Sequence, residues 1–231
     1  MARNTSSRRG TSDPAQIRSV AVLGLGRFGS SLALELESQG IEVLGVDADE
    51  EIVQELSEDL NYAARADISR ADALEQLGVA EMDRVVVAVG SRIETSVLTC
   101  SHLLRAGVTG LWAKADSTAH EQILAQLGVE HVISPQAAMG RRVAHLLADS
   151  AQDWTDYGGG FVMGRFAAPT SLIHRMAADA GIEQDFGVRI VARRAMGGRW
   201  EYVAAQTVYA PGDELIVAGN YKDMERFGRE A

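Results

Sequence analysis

Cysteine is nearly absent from this sequence. Cys100 is the only one among 231 residues, so no disulfide can form within the chain and no metal site built on several cysteines is available. Long apolar runs are missing too, since the longest uninterrupted one is Val85 to Val89, far below the roughly 18 residues that span a membrane. The sequence therefore predicts a soluble protein without a membrane span, suited to a reducing cytoplasm.

Positive charge is also scarce. The chain has 22 lysines and arginines against 32 aspartates and glutamates, which gives a net charge of −10. The excess of negative charge repels the phosphates of nucleic acid, and the few arginine clusters do not form a basic face. The composition therefore argues against a nucleic-acid partner. The chain is nevertheless expected to fold, because hydrophobic residues make up 46% of it.

The pattern along the chain divides it into segments. Residues 1–17 are polar and lack the apolar stretch of a signal peptide, so we expect a disordered tail. Residues 18–135 alternate apolar strands with amphipathic helices, which indicates an open parallel sheet with right-handed crossovers. The predicted strands are 19–23, 41–46, 62–65, 84–89, 108–113 and 131–133, and the predicted helices are 27–39, 50–60, 70–77, 94–105 and 118–127.

The pattern changes after residue 135. Residues 136–160 predict a crossover helix, 136–150, and then a hinge, 153–160, with three consecutive glycines. Residues 161–231 predict a small domain with strands 161–166, 187–194, 200–203 and 214–218 and helices 171–179 and 222–227. The predicted fold class is α/β, a Rossmann-like doubly wound parallel sheet followed by a second, smaller α+β domain.

A glycine-rich sequence, GLGRFG, directly follows the first predicted strand and opens the first helix. Its residues are Gly24, Leu25, Gly26, Arg27, Phe28 and Gly29. In this context the first glycine permits a tight turn, the second lets backbone approach a phosphate, and the third allows close helix–strand packing. The amides at the helix start then hold the anion. The alternative, a turn that serves packing only, fits the context less well.

Polar residues at the ends of the other strands complete the predicted site. Asp47 ends the second strand, where it can accept hydrogen bonds from ribose hydroxyls and disfavours the 2′-phosphate of NADP. Asp67 follows the third strand and either contacts adenine or caps the next helix. Gly90 and Arg92 follow the fourth strand and Lys114 ends the fifth, where either cation could reach a phosphate or simply be solvated.

The remaining residues show no catalytic or metal-binding pattern. The five histidines have no pair at metal-ligand spacing, and no serine lies in a nucleophile elbow. Hydride transfer would require a second domain that supplies a proton donor, and the small domain offers only His174. We therefore predict that the chain is not an enzyme.

The motifs AVLGLGRFGSSLALEL, EVLGVDADEE, VVVAVG, LWAKAD, LGVEHVISP and MGRRVA closely resemble the N-lobe of the RCK (KTN, TrkA-N) family. The segment PGDELIVAG resembles that family's C-lobe (RCK-C, TrkA-C). The resemblance covers about residues 18–228. It implies a regulatory subunit of a bacterial Trk- or Ktr-type potassium channel or transporter, held in the cytoplasm at the inner face of the membrane by its membrane-embedded partner. It also implies homodimers that assemble into an octameric ring.

The resemblance further implies ligands and residue roles. ATP or ADP, or alternatively NAD(H), binds the N-lobe, where Arg27 matches an arginine on the terminal phosphate of ATP. Asp47 matches the ribose acid, Asp67 an adenine contact, and Lys114 a lysine facing the phosphates. Relatives carry a cation-binding glutamate where this chain has Gln136, so no metal site is predicted. Cyclic di-AMP binds the C-lobe of some relatives, but this sequence carries no specific signal for it.

These observations predict a nucleotide-sensing gating subunit without catalytic activity. Two rival classes remain open. An NAD-dependent oxidoreductase would turn over a hydride acceptor, and a redox-sensing repressor would need a DNA-binding helix pair, which the sequence does not show.

Overall fold

The computed structural model describes residues 17–148 and 151–230, and the greater part of the predicted tail lies outside them. The chain divides after Pro135 into two compact units, here called the first unit and the second unit. Each unit has its own sheet and its own buried core. Within the described residues no helix combines the length and the apolar character that a membrane span requires.

The first unit is built on six parallel strands in the order β3-β2-β1-β4-β5-β6, the doubly wound arrangement that the sequence predicts. The strands are β1 Ser19–Leu23, β2 Glu42–Asp47, β3 Tyr62–Arg65, β4 Arg84–Val87, β5 Leu111–Lys114 and β6 His131–Ile133. The helices are α1 Arg27–Ser38, α2 Glu50–Leu56, α3 Ala71–Gln76, α4 Ile93–Arg105 and α5 Thr118–Leu127, with a 3₁₀ helix at Val79–Glu81.

Both faces of this sheet are buried. Along β1, Val20 and Val22 pack into one core, whereas Ala21 and Leu23 pack into another on the opposite face. Strands covered on both faces have near-continuous apolar sequences, which is why β1 reads as an uninterrupted apolar run. Because both faces of the central strands are apolar, the polar side chains of this unit that could meet a ligand lie in the loops that follow the strands.

Two element boundaries of the first unit differ from the predicted ones by three residues or more. β5 begins at Leu111 instead of Val108 because Gly107 and Gly110, with φ of 79° and 73°, form a turn between α4 and the strand. α2 ends at Leu56 instead of Leu60, and Leu60 is buried in the core from the loop that follows.

The second unit contains five antiparallel strands in the order β10-β9-β11-β8-β7. The strands are β7 Asp153–Asp156, β8 Phe161–Ala167, β9 Val188–Arg194, β10 Trp200–Tyr202 and β11 Glu214–Asn220. The helices are α6 Pro135–Ala148, α7 Ile182–Phe186 and α8 Tyr221–Gly228, with 3₁₀ helices at Thr170–Leu172 and Ala177–Asp179.

The predicted hinge at residues 153–160 is wrong. Its first half is strand β7, which pairs with β8, and Trp154 of this strand is only 3% exposed. The three glycines form the turn between these strands, all with positive φ. A glycine run therefore marks a hairpin here, because a neighbouring strand and a buried tryptophan fix both of its ends.

The predicted helix at residues 171–179 is also wrong, and α7 was not predicted. The backbone amides of His174, Ala177 and Ala178 donate to carbonyl oxygens of residues 205–209 instead of to their own preceding turn. His174 has a φ of 67°, which interrupts a right-handed helix. Pairing with a distant segment therefore overrides the local helical pattern.

Candidate nucleotide-binding site

Two glycines of the GLGRFG loop are required by packing. Gly24 directly follows β1 with a φ of 100°, and a Cβ there would lie 2.6 Å from Cγ1 of Val89. A Cβ on Gly29 would lie 1.8 Å from the carbonyl oxygen of Gly24. The loop and the start of α1 are therefore pressed together, as the sequence predicts for the first and third glycines.

Gly26 is different, because no described atom lies within 4 Å of the position of its Cβ. It is exposed, it is the N-cap of α1, and within the described chain no side chain caps this helix end. The first turn of α1 also contains no acidic residue among those described. Free amides at a helix start favour an anion, so this end of α1 is open to a phosphate.

Arg27 is the first residue of α1 and is exposed. The described residues provide its guanidinium with no hydrogen bond and no ion pair, so its charge is available to a ligand. Phe28 instead packs against the core on the α1 face of the sheet. The side chain of Phe28 therefore contributes to the core, and its predicted contact with a nucleotide stays a prediction.

Asp47 connects the glycine-rich loop to the next loop of the sheet. Its Oδ2 accepts a hydrogen bond from the amide of Leu25 at 2.6 Å, and its Oδ1 accepts one from the amide of Asp49 at 3.0 Å. Each carboxylate oxygen has further capacity to accept, because a carboxylate offers about four lone-pair sites. Asp47 is thus fixed in position and still able to accept hydrogen bonds from a ligand.

A cavity of about 190 Å³ lies at this edge of the sheet. Four of the predicted site residues line it, namely Gly24, Asp47, Asp67 and Arg92. Five further residues complete the lining, namely Ala48, Ile68, Ser69, Val89 and Thr95. The sequence did not single these out because a lining formed by loop backbone and small side chains has no motif of its own.

Asp67 carries a stable negative charge in this cavity. Its Oδ1 accepts hydrogen bonds from the hydroxyl of Ser69 at 2.7 Å and from the amide of Ser69 at 3.0 Å. These bonds, with smaller contributions from the charges of Arg70 and Arg92, lower the pKa of Asp67 below its ordinary value. Asp67 therefore closes a local turn with Ser69 and lines the cavity. It does not cap the next helix, because the N-cap of α3 is Arg70, and its contact with adenine stays a prediction.

Gly90 and Lys114 lie beside the cavity without lining it. Nζ of Lys114 is 3.0 Å from Oδ1 of Asp116, and a Cβ on Gly90 would lie 2.3 Å from the same oxygen. Asp116 is not among the predicted site residues, although it is the partner of Lys114. The signal for it is its spacing in Lys114-Ala115-Asp116, which places two opposite charges two residues apart at the end of a strand.

Metal-ligand side chains do not cluster in the described part of the chain, where no group of three or more histidines, cysteines, aspartates or glutamates could hold an ion. His120 is fully buried on α5, and neither of its ring nitrogens has a hydrogen-bond partner among the described residues. Burial lowers the pKa of His120, although the charge of Asp116 opposes the shift.

The model of the TrkA-N domain matches residues 20–135, which is the segment that forms the six-stranded sheet and the glycine-rich loop. The chain belongs to the TrkA-N family. Among similar TrkA-N proteins, the Ktr system potassium uptake protein C of Bacillus subtilis (strain 168) is 32% identical over 90% of this chain and 94% of its own length. The Ktr system potassium uptake protein A of the same organism is 30% identical over 91% of this chain and 95% of its own length.

Solved structures support the fold of this TrkA-N protein. The GsuK RCK domain superposes with a TM-score of 0.65 over 94% of this chain at 16% identity, and the GsuK channel bound to NAD superposes with a TM-score of 0.64 over 90% at 17% identity. This chain spans 48% and 38% of the length of those two chains. At such identity the likeness concerns the fold.

Proposed function

We propose that the protein is a regulatory subunit of a potassium uptake system and that its first unit binds an adenine nucleotide, ATP or ADP, with NAD(H) as the alternative ligand. The single observation that carries the nucleotide part is Asp47, held by backbone amides at the cavity next to the glycine-rich loop. The potassium part is supported by the two Ktr potassium uptake proteins, which align along nearly their whole length.

The geometry fits a nucleotide in two ways. Asp47 can accept hydrogen bonds from the two ribose hydroxyls, and its charge would repel a 2′-phosphate, so ATP and ADP should bind more tightly than NADPH. The open start of α1 at Gly26 and the unpaired Arg27 then lie where a phosphate chain leaving the ribose would pass. Gly29 keeps α1 against the loop, so that its amides point to this place.

The proposed role is regulation without a chemical step. A bound nucleotide shifts an equilibrium between two conformations only by the difference in its affinity for them. ATP differs from ADP by one phosphate, and Arg27 is an exposed cation able to contact it. A change in nucleotide would thus change the conformation that the protein presents to a membrane-embedded partner.

Self-association into a dimer and then a ring, an octamer by resemblance, is part of the proposal. Several large apolar side chains on α4, α5 and α6 are more than a third exposed, which favours contacts with other copies. They are Ile93, Leu98, Ile123, Leu127, Met139, Val143 and Leu147. Sedimentation at micromolar concentration should give an oligomer; a single species of 24.8 kDa would contradict this part. The assembly would lie in the cytoplasm, attached to the membrane through its partner.

Cyclic di-AMP remains a proposed second ligand, for the second unit. That unit has a cavity of about 420 Å³ bordered by Glu183 and Arg189, which form an ion pair of 2.5 Å. Titration with cyclic di-AMP tests this independently of the nucleotide site. Heat or fluorescence changes that are lost in Arg189→Ala would support it, and the absence of binding to the wild-type chain would contradict it.

The experiment for the nucleotide site is calorimetric titration of protein freed of bound nucleotide with ATP, ADP, NADH and NADPH. ATP and ADP should bind, and Asp47→Asn should weaken both about tenfold or more, since a hydrogen bond to a charged group contributes roughly 1.5–3 kcal/mol. The matched control is Asp59→Asn, which removes the same charge at an exposed position between α2 and β3. Tight binding of NADPH would contradict the proposal.

The two rival functional classes, an oxidoreductase and a DNA-binding repressor, are tested by separate experiments. Oxidation of NADH with a hydride acceptor at a rate that depends on the protein would identify an oxidoreductase. Binding to duplex DNA at physiological salt would identify a repressor. Mass spectrometry of the nucleotide that copurifies with the protein then distinguishes ATP or ADP from NAD(H) in the cell.

A further inference from the structure

The ion pair between Lys114 and Asp116 has one buried and one more exposed partner. Lys114 ends β5, and its side chain is 11% exposed, whereas that of Asp116 is 32% exposed. A lysine this buried requires a partner of opposite charge. Because Asp116 lies on the solvent side of the pair, a ligand that reaches Lys114 must displace or pass its carboxylate.

The space for that carboxylate is provided by Gly90. A Cβ at this position would lie 2.3 Å from Oδ1 and 2.9 Å from Oδ2 of Asp116, so the carboxylate rests directly against the backbone that follows β4. Val89, the preceding residue, lines the cavity with Gly24 and Asp47. The ion pair is therefore at the β4–β5 side of the candidate nucleotide site.

We propose that Asp116 is an affinity- and specificity-determining residue of this site, because its carboxylate competes with nucleotide phosphate for Lys114. The inference rests on the proposed function. In the free site Lys114 is neutralised by Asp116. When a nucleotide binds, a phosphate oxygen replaces the carboxylate at Nζ, and the loss of the ion pair offsets part of the gain from the new contact.

The competition affects nucleotides according to the charge of their phosphates. ATP has more ionised phosphate oxygens than ADP, and each phosphate of NAD, with one ester and one anhydride bond, carries a single charge. A strongly charged chain displaces Asp116, whereas a weakly charged one leaves the ion pair in place and gains little from Lys114. Removing the carboxylate should therefore raise the affinity for ATP most and that for NADH least. A limited affinity also suits a sensor, since it keeps the nucleotide exchangeable.

The test is a double-mutant cycle with Asp116→Asn, Lys114→Met and the double variant, each titrated with ATP, ADP and NADH at fixed ionic strength. Asp116→Asn keeps a polar group of the same shape and removes the charge. We expect it to raise the affinity for ATP about tenfold and that for NADH less. In the Lys114→Met background the same change should have no effect, because the cation for which Asp116 competes is gone.

Controls separate this effect from others. Asp59→Asn removes the same charge far from β5 in sequence and should leave all affinities unchanged, and Asp116→Ser provides a second neutral variant if Asp116→Asn does not fold. An unchanged ATP affinity in both neutral variants would overturn the inference. An equal gain in the wild-type and Lys114→Met backgrounds would also overturn it, since Asp116 would then repel phosphate directly. Failure of the wild-type chain to bind any of ATP, ADP and NADH would instead refute the proposed function itself, and the inference with it.

Discussion

The two units use charged side chains in opposite ways. At the carboxyl edge of the first sheet, Asp47 accepts hydrogen bonds from backbone amides only, and Arg27 has no ion-pair partner within the described residues. In the second unit two arginines at the end of β9 form ion pairs with residues at or just before the start of the neighbouring strand β11. Arg193 Nη1 lies 3.1 Å from Oδ2 of Asp213, and Arg194 forms an ion pair with Glu214.

This difference shows which charges are available to a ligand. Asp213 is 1% exposed and also accepts a hydrogen bond from the amide of Ala210 at 2.9 Å, so its charge is fully used within the protein. Arg194 and Glu214 are register partners of β9 and β11, where opposite charges stabilise the strand pair. These ion pairs of the second sheet therefore stabilise the fold, whereas Asp47 and Arg27 of the first unit keep a capacity for polar contacts that the described residues do not use.

The largest effect is expected from breaking the ion pair between Arg193 and the buried Asp213 in the second unit. Asp213→Ala removes the buried carboxylate that accepts hydrogen bonds from Arg193 and from the amide of Ala210, and should lower the free energy of unfolding by about 3 kcal/mol. Urea denaturation measures this change. Glu201→Ala removes the other, exposed partner of Arg193, which lies at 3.5 Å, and should cost well under about 1 kcal/mol. Equal losses of stability in both variants would show that burial does not decide how much an ion pair contributes to the free energy of unfolding.

A pair of glycine substitutions separates packing from binding in the first unit. Gly29→Ala places a methyl group 1.8 Å from the carbonyl oxygen of Gly24 and should destabilise the fold by about 2–3 kcal/mol. Gly26→Ala meets no described atom within 4 Å and has a φ of −63°, so stability should hardly change. It should nevertheless weaken ATP binding, because the methyl group occupies the approach of the phosphate. Thermal unfolding and calorimetry measure the two effects; unchanged ATP affinity in Gly26→Ala would contradict the phosphate site.

Arg27→Ala tests whether the free charge of the first unit reads the terminal phosphate. It should weaken ATP binding about ten- to a hundredfold, or roughly 1.5–3 kcal/mol, and ADP binding less, because only ATP presents the outermost phosphate. Asp47→Ala is the comparison variant and should weaken both nucleotides equally, since both carry the same ribose. Equal losses in Arg27→Ala would mean that it contacts a group that ATP and ADP share, and no loss would leave it as a solvated residue at the positive end of a helix dipole; either result contradicts a reading of the terminal phosphate.

The sequence predicts the first unit better than the second for a physical reason. Buried parallel strands have apolar runs that end at glycine or at charged residues, and the six strands were found from this pattern. In the second unit, residues 171–179 have helical periodicity, yet their backbone bonds to residues 205–209. A contact between segments so distant in sequence leaves no local pattern.

The candidate site likewise has a part that could be predicted from the sequence and a part that could not. Gly24 and Asp47 line the cavity and could be predicted, because the turn and the following strand end place them there whatever the rest of the chain does. The spacing of Lys114 and Asp116 indicates that the two charges can meet, but the contact of the Asp116 carboxylate with Gly90 could not be predicted, since it depends on how the loop after β5 lies. That loop is fixed by packing rather than by a motif.

The smallest expected effect concerns an exception to the comparison, His120, a titratable group buried in the first unit without a hydrogen-bond partner among the described residues. His120 has its pKa lowered by burial, so in the folded state it stays neutral below pH 6.5, where the unfolded chain already binds a proton. The stability it contributes is therefore present above about pH 6.5 and is lost as the pH falls toward its lowered pKa. His120→Leu should remove a pH-dependent loss on the order of 1 kcal/mol between pH 7.5 and about 5.5, measured by urea denaturation at each pH. If His120→Leu and wild type lose stability in parallel as the pH falls, other groups account for the acid sensitivity and His120 is not the exception that its burial indicates.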